Sequence, residues 1–277
     1  MVIPEEFARQ GKSQKVCKLH KSPYALKHAH RQWNLKLTEA LALMGFEQSH
    51  YDYSLFTKKA TGDVVIVLVY MVSLLVTGNN PSLINDTRCK LQQRFKINDL
   101  GELKFFLGIE FVRSNKSIFM CQKKYALELV AEAGLGGAKP AGIPLELNQE
   151  LTSVKYDECV KHKESSEDKQ VEDPSSYQRL VRRLLYLTMT RHDIDFAVQV
   201  LSQCVHCPKV SHMESTLRVV RRIKEAPGLG LIMPTRDTEQ LTAYCDSDWG
   251  ACVETRRSVT GYLVKFGKSL VSWKSKK

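Results

Sequence analysis

The stretch that decides the fold is residues 64–76, VVIVLVYMVSLLV, an apolar run on both sides of Tyr70-Met71-Val72-Ser73. A helix needs roughly 20 apolar residues to cross a bilayer, so this run is too short to span a membrane. Its many β-branched residues favour buried strands over a helix. We therefore predict two strands joined around residues 71–73, with turn residues at 78–81, GNNP, after the second strand.

Apolar spacing outside this run predicts both helices and strands. Helices are predicted at about 33–44 with Gly45 as a stop, around 84–95, and over 123–133, 177–188 and 194–201, and a capping box at Ser211 and Glu214 predicts a further helix. Strands are predicted over 103–112 and 117–122 as one hairpin, and over 241–246, 258–266 and 269–273. This mixture predicts an α+β fold.

The charge balance favours a polyanionic partner. The 277 residues include 41 Lys+Arg against 30 Asp+Glu, a formal net charge of +11. Such an excess favours nucleic acid (RNA, DNA or an RNA–DNA hybrid) through phosphate contacts and counterion release. A merely basic, solvated surface is the alternative. The sequence has no Gly-rich phosphate loop, so no small-molecule substrate is evident.

The start of the sequence and its cysteines indicate the compartment. Residues 1–6, MVIPEE, lack the basic segment and apolar stretch of a signal peptide. We therefore expect a cytoplasmic or nuclear protein with reduced thiols, neither secreted nor in a membrane. Cys204 and Cys207, with His206 and His212 nearby, have a metal-like spacing. Small side chains at a helix end are the alternative to zinc, and we predict no metal site.

Residues 141–174 differ in composition from their surroundings. Pro140, Pro144 and Pro174 flank or lie in this stretch, and residues 155–173 carry mixed charge with few large apolar side chains. Such a composition predicts a solvated, mobile linker between structural units.

Ordered blocks along nearly the whole chain resemble the Pol polyprotein of copia-type LTR retrotransposons. These blocks are 16–19 VCKL, 21–27 KSPYALK, 31–33 RQW, 95–110 FKINDLGELKFFLGIE, 122–127 QKKYAL, 176–181 SYQRLV, 184–188 LLYLT, 244–250 YCDSDWG, 255–262 TRRSVTGY and 272–276 SWKSK. The resemblance implies a reverse transcriptase that continues into the start of an RNase H.

The resemblance also implies how the chain is organised. It implies a partial right-hand polymerase, with part of the palm and thumb in 1–140, the linker in 141–174 and a helical connection in 175–235. Residues 236–277 are then the truncated beginning of an RNase H-like sheet.

The sequence departs from this family at the place where catalysis is expected. The family carries Tyr-Val-Asp-Asp where this chain has Tyr70, Met71, Val72 and Ser73. Two-metal polymerisation needs carboxylates that hold both cations about 3.5–4 Å apart. Valine has no ligand atom and a serine hydroxyl carries no charge. The family's first catalytic aspartate is expected upstream of the segment resembling 16–33. We therefore predict an inactive polymerase site without the Mg²⁺ of the parent family, and no cofactor.

One carboxylate resembles part of the RNase H site. Asp246, at the end of a predicted strand, matches the first catalytic carboxylate of that enzyme. The family's next catalytic glutamate is expected beyond the equivalent of Lys277. Because a single carboxylate cannot position two cations, a solvated pair of Asp246 and Asp248 is the alternative to a catalytic role.

A further set of residues resembles nucleic-acid contacts of reverse transcriptases or belongs to basic stretches. This set is Lys27, Arg31, Gln32, Leu107, Gly108, Arg218, Arg221 and Arg222. Tyr24 and Trp33 could stack on bases, but Trp33 is better explained as a core residue of the first helix. The basic residues 218–224 also suit the C-terminal end of a helix, whose dipole favours cations.

The function predicted from the sequence is that of a retrotransposon-derived RNA-directed DNA polymerase fragment that is catalytically inactive. A non-enzymatic nucleic-acid-binding relic and a domesticated protein-interaction module are the alternatives.

Overall fold

The structure of the protein is a computed structural model that describes residues 29–60, 62–146, 149, 151–160, 168–235 and 239–276. The chain divides into two compact units, residues 1–101 and 102–277, which we call unit 1 and unit 2. The predicted mixture of helices and strands is confirmed. The four-part division predicted from the sequence stays a prediction. Within the described ranges, no helix is both long and apolar enough to cross a membrane.

Unit 1 combines two helices with one sheet. Its described elements are α1 (Ala29–Leu43), β1 (Glu47–Gln48), β2 (Leu55–Ala60), β3 (Asp63–Tyr70), β4 (Ser73–Gly78) and α2 (Pro81–Arg94). The strands form an antiparallel sheet in the order β1-β2-β3-β4. The hairpin predicted across residues 64–76 is therefore confirmed, as are the helices before and after it.

Alternation along β3 explains how this sheet acquires a core. Val65, Val67 and Val69 are buried, whereas the residues between them are only partly covered. These valines pack in one cluster with buried leucines of α1 and α2. Trp33 packs against the same cluster, which confirms its predicted role as a core residue. Removing this apolar surface from water stabilises the unit.

The turn residues after β4 start the next helix. The side-chain oxygen of Asn80 accepts hydrogen bonds from the backbone N–H groups of Ser82 at 2.9 Å and Leu83 at 3.3 Å. Pro81 occupies the first helical position, where its missing N–H costs nothing. This N-cap fixes the point at which the chain turns from sheet to helix.

Unit 2 contains two further sheets and five helices among its described residues. In chain order its elements are β5 (Phe105–Phe106), β6 (Ile109–Arg113), β7 (Ser117–Cys121), α3 (Lys123–Glu132), α4 (Val154–Val160), α5 (Pro174–Leu187), α6 (Asp195–Ser202), α7 (Val210–Glu225), β8 (Gly230–Pro234), β9 (Leu241–Asp248), β10 (Val259–Phe266) and β11 (Ser269–Lys276). One sheet has the order β5-β6-β7-β8 and the other β11-β10-β9, with all pairs antiparallel.

The first sheet of unit 2 corrects two sequence expectations. The predicted strand over 103–112 is interrupted by a two-residue turn at Leu107 and Gly108, with φ of 51° and 71°. Strand β8, which was not predicted, pairs with β7. A Cβ on Gly230 would lie 2.1 Å from the Met120 carbonyl oxygen, so only glycine permits this close pairing.

Helices α3, α5, α6 and α7 contribute the residues of one buried cluster, as their apolar spacing predicts. Tyr177 is fully buried, and its hydroxyl donates to the Leu201 carbonyl oxygen at 2.7 Å. The predicted capping box is wrong. Helix α7 begins at Val210 with Lys209 as its N-cap, two residues before the predicted cap at Ser211. The Ser211 hydroxyl donates to Asp168 at 2.6 Å instead of capping the helix, because a carboxylate acceptor lies within reach.

Part of the predicted linker is packed. Residues 154–160 form α4, and Gln170 makes a β-bridge with Lys209. Lys209 is 4% exposed, and its Nζ lies 2.7 Å from Asp157 and 3.2 Å from Asp168. For these residues the expectation of a solvated, mobile segment is wrong, because ion pairs with Lys209 attach them to the helices. Residues 161–167 lie outside the described ranges.

Candidate functional site

Tyr70, Val72 and Ser73 lie at the tip of the β3–β4 hairpin, as predicted. Tyr70 pairs with Ser73, so Met71 and Val72 form a two-residue turn. Met71 has a φ of 51°, in the left-handed region that a methionine rarely adopts. Tyr70, Met71 and Val72 are 50%, 63% and 49% exposed. The tip is thus an apolar, solvent-facing turn.

The loop before β2 reaches the same end of the sheet. The backbone N–H of Val69 donates to the Ser54 carbonyl oxygen at 2.8 Å, which places residues 51–53 beside the hairpin tip. Tyr51 is fully exposed and Tyr53 is 75% exposed. Hydrogen bonds from Ser54 lower the pKa of the Asp52 carboxyl. The sequence analysis missed these tyrosines. Their position just before β2, which is antiparallel to β3, could have indicated that they lie at the same end of the sheet as the hairpin tip.

The residues at the hairpin tip do not fit a two-metal polymerase site. Tyr70 offers a phenol, Val72 offers no ligand atom, and Ser73 offers a neutral hydroxyl. Magnesium in proteins is held chiefly by carboxylates and water. Across the described ranges, no three His, Cys, Asp or Glu side chains are grouped so that they could hold a metal ion.

Asp246 lies on β9, an edge strand of the second sheet in unit 2. It is exposed, and its carboxylate accepts the backbone N–H of the adjacent Ser247 at 2.9 Å. Asp248 ends the same strand and is also exposed. Asp246 and Asp248 lie two residues apart on one strand and so share a face of the sheet. The catalytic role of Asp246 stays a prediction.

Two aspartates, Asp193 and Asp195, lie at or just before the start of α6. Asp193 accepts hydrogen bonds from Arg191 Nε at 2.7 Å and from its terminal nitrogen at 2.8 Å. Burial raises the pKa of Asp193, but hydrogen bonds and charge from Arg191 outweigh burial, so its pKa is lowered. Asp195 accepts the backbone N–H of Ser275 at 2.9 Å, and burial raises its pKa. Asp195 therefore joins α6 to β11, whereas Asp193 pairs with the nearby Arg191.

A second buried cation of unit 2, besides Arg191, is Lys209, which is 4% exposed. We use the name Lys209 cluster for Lys209, Asp157, Asp168 and His212. Burial lowers the pKa of Lys209, but hydrogen bonds and charges from the two aspartates outweigh burial and raise it. His212 is fully buried, and its Nδ1 accepts the backbone N–H of Lys209 at 3.0 Å. Burial first, and the Lys209 charge second, lower the pKa of His212.

The predicted basic face of α7 is partly neutralised by ion pairs with acidic residues of the same chain. Arg218 donates to Glu146 at 2.8 Å, and Arg222 pairs with Glu225 and lies 3.6 Å from Asp193. Lys224 donates hydrogen bonds to two backbone carbonyls. Because these carbonyls are neutral, they do not cancel the charge of Lys224. Arg221 is partly buried, and its side chain has no ion pair within the described part of the chain.

The remaining predicted nucleic-acid contacts fall in three places. Arg31 and Gln32 are exposed on the first turn of α1 in unit 1. Leu107 and Gly108 form a turn in unit 2, where the Tyr186 hydroxyl donates to the Leu107 carbonyl oxygen. This bond gives the turn a structural partner. Lys27, like Tyr24, lies outside the described residues.

The chain belongs to the reverse transcriptase (RNA-dependent DNA polymerase) family, whose family model matches residues 1–147. It is 35% identical over its whole length to the retrovirus-related Pol polyprotein from transposon RE1 of Arabidopsis thaliana. It is 30% identical, again over its whole length, to the corresponding polyprotein from transposon TNT 1-94 of Nicotiana tabacum. The resemblance found in the sequence is thereby confirmed.

The chain spans only a part of those polyproteins, 18% of the first and 21% of the second. By contrast, it covers 82% of an uncharacterized mitochondrial protein of Arabidopsis thaliana, with 33% identity over 213 residues, or 76% of this chain. No solved structure matches the chain.

Proposed function

We propose that this chain is a reverse-transcriptase-derived scaffold that binds nucleic acid but does not polymerise DNA. In this proposal unit 1 carries a palm hairpin, the helices of unit 2 serve as thumb and connection, and β9 to β11 begin an RNase H-like sheet. The observation that carries the proposal is the hairpin tip, where Val72 and Ser73 stand in place of the family's two aspartates.

The chemistry of the tip supports inactivity. Transfer of a nucleotide requires cations that stabilise both the attacking and the leaving oxygens, and carboxylates anchor those cations. The exposed turn of Met71 and Val72 offers no negative charge for that purpose. The same reasoning applies to RNA cleavage if Asp246 is the lone carboxylate of its site.

Binding of RNA, DNA or their hybrid is supported by family membership and by the net charge of +11. Phosphate contacts by arginine and lysine release counterions, so this binding should weaken steeply with salt. A protein with this role would act in the cytoplasm or the nucleus, where its nucleic-acid partners occur.

Primer extension tests the proposal directly. The purified chain is incubated with an RNA template, a DNA primer and all four nucleotides, in Mg²⁺ or Mn²⁺. We expect no extension beyond a protein-free control. We also expect an RNA–DNA hybrid to bind in 50 mM salt, with an affinity that falls at least tenfold by about 200 mM.

Two results would contradict the proposal. Metal-dependent extension that disappears after Tyr70→Ala would show that the tip still supports catalysis. Absence of hybrid binding at low salt would remove the nucleic-acid role and favour the protein-interaction alternative. That alternative has one structural observation in its favour, because Tyr51, Tyr53 and Tyr70 expose aromatic surface at one end of a sheet.

A further inference from the structure

A cavity of about 380 Å³ lies beside α7 in unit 2. Arg218 and Arg221, on one side of that helix, line it together with Ala138 and Gln149. The cavity is separate from the hairpin tip and from Asp246, because neither Tyr70, Val72, Ser73 nor Asp246 contributes to its lining.

One buried donor group of the cavity lacks an acceptor within the residues that the structure describes. Arg218 uses a terminal nitrogen to pair with Glu146, but its Nε is buried and finds no hydrogen-bond acceptor in the described ranges. A buried donor without an acceptor costs free energy, and a bound anion would remove that cost. Arg221 likewise has no ion pair in this part of the chain.

Positive charge is also concentrated at one end of the cavity. Lys224, one turn beyond Arg221, donates to the carbonyl oxygens of Gly136 and Ala138 at 2.6 Å each. Ala138 is itself part of the lining, so this ammonium group lies near the cavity. Neutral carbonyls orient the group without cancelling its charge, which remains available to attract an anion.

Two carboxylates in the lining, Glu146 and Glu214, oppose anion binding. The side chain of Glu146 is 60% exposed, so its pair with Arg218 lies at the rim. Exposed ion pairs contribute little because water screens them. A phosphate presents at least two acceptor oxygens to a guanidinium group and can replace such a partner.

We infer that this cavity binds a phosphate group through the guanidinium groups of Arg218 and Arg221, with Lys224 adding positive charge. Guanidinium forks match the spacing of phosphate oxygens, which is why arginine suits this ligand. The phosphate is either a backbone phosphate of bound nucleic acid or a free phosphate. The first of these ligands rests on the proposed function, which the inference then deepens.

Inorganic phosphate is the first probe. Its binding is measured by the broadening of its ³¹P NMR line at constant ionic strength. We expect Arg221→Gln to weaken binding about tenfold, which corresponds to loss of one charge-assisted contact. Glu146→Gln should strengthen binding about threefold, because it frees Arg218 from its competitor. Arg182→Gln is the matched control, since it removes an exposed arginine of α5 that does not line the cavity.

The opposite signs for Arg221→Gln and Glu146→Gln protect the test from folding artefacts, because a misfolded variant does not gain affinity. Arg221→Lys keeps the charge without the fork and should show an intermediate loss. Equal phosphate affinity in Arg221→Gln and Arg182→Gln would overturn the site, as would absence of phosphate binding in the unmodified chain.

A 12-nucleotide single strand of DNA is the second probe, and it separates this inference from the proposed function. Loss of oligonucleotide affinity in Arg221→Gln but not in Arg182→Gln identifies the ligand as backbone phosphate. Phosphate binding with the expected pattern, but no binding of the oligonucleotide or of the RNA–DNA hybrid, supports a free-phosphate site and contradicts the nucleic-acid role. Oligonucleotide binding without phosphate binding overturns the site alone.

Discussion

The hairpin tip of unit 1 and the Lys209 cluster of unit 2 differ in how they accommodate charge. At the tip, residues 70–73 carry no ionisable group apart from a phenol and face solvent. In the cluster, Lys209 is 4% exposed and lies between two carboxylates. Burying a charge is costly unless a partner compensates it.

The difference shows which charges the fold itself needs. Two adjacent aspartates at a hairpin tip repel each other unless a metal binds between them, so their absence costs the fold nothing. The aspartates around Lys209 neutralise a buried cation and attach residues 151–160 and 168–170 to the helices. The fold of unit 1 therefore does not depend on negative charge at residues 72 and 73.

Breaking the Lys209 cluster should have the largest effect. Lys209→Met leaves Asp157 and Asp168 without their cation, and we expect unit 2 to lose about 4 kcal/mol of unfolding free energy. Urea unfolding followed by circular dichroism measures this loss. Lys104→Met, at an exposed position, is the control and should change stability by less than about 0.5 kcal/mol. Similar losses in both variants would show that the cluster is not stabilising.

Acid should weaken the same cluster in two stages. The pKa of His212 is lowered from 6.5, so below pH 6.5 the unfolded chain binds a proton at this residue more readily than the folded chain does. The free energy of unfolding therefore decreases as the pH is lowered. One proton accounts for at most about 1.4 kcal/mol per pH unit. The lowered pKa of Asp168 adds a second loss below pH 3.8, and Asp193, outside the cluster, adds to it because its pKa is lowered too.

His212→Asn separates the two stages. Asparagine keeps a side-chain acceptor for the Lys209 N–H but does not titrate, so the stability loss that starts near pH 6.5 should disappear while the loss below pH 3.8 remains. Unfolding midpoints in urea between pH 3 and pH 8 measure both. An unchanged profile would assign the first stage to another group.

Relief of backbone strain at the hairpin tip should be measurable but smaller. Met71 adopts a φ of 51°, which costs an ordinary residue about 1–2 kcal/mol. Glycine avoids that cost but loses more chain entropy, so Met71→Gly should stabilise unit 1 by about 0.5 kcal/mol. Val72→Gly, in the same turn but without a positive φ, should destabilise it. Thermal unfolding of both variants compares them, and equal signs would contradict the explanation.

The smallest effect on stability is expected where charge is restored to the tip. The double variant Val72→Asp, Ser73→Asp should change the unfolding free energy in the absence of metal by less than about 0.5 kcal/mol, because both positions are exposed. It should gain Mn²⁺ binding, measured by electron paramagnetic resonance, that the matched Val72→Asn, Ser73→Asn variant lacks. A large loss of stability would contradict the comparison above.

Local patterns predicted what depends on local burial. The strand at the apolar run of β3 and the helices at the apolar spacing of α1 and α3 follow from which residues face a core, and the sequence displays that directly. The position of Tyr70 and Val72 at a hairpin tip was predictable for the same reason. The β9–β11 meander was likewise predicted, with small differences at strand ends.

Features that depend on distant partners were missed. Strand β8 was not predicted because its partner β7 lies about a hundred residues earlier in the sequence. Ser211 resembled a helix cap because the competing carboxylate of Asp168 comes from the predicted linker. The cavity beside α7 requires two segments to meet, so spacing along the chain could suggest Arg218 and Arg221 but could not show the space between them.

The pairing of β7 with β8 has a consequence for biosynthesis. The strands of unit 1 are all neighbours in sequence, so that unit can acquire its structure while the ribosome is still translating the rest. In unit 2, the edge of β7 that pairs with β8 stays open until residue 234 has emerged from the exit tunnel. Over that interval the nascent polypeptide presents an unpaired strand edge, which is the form most exposed to co-translational aggregation and to chaperone capture.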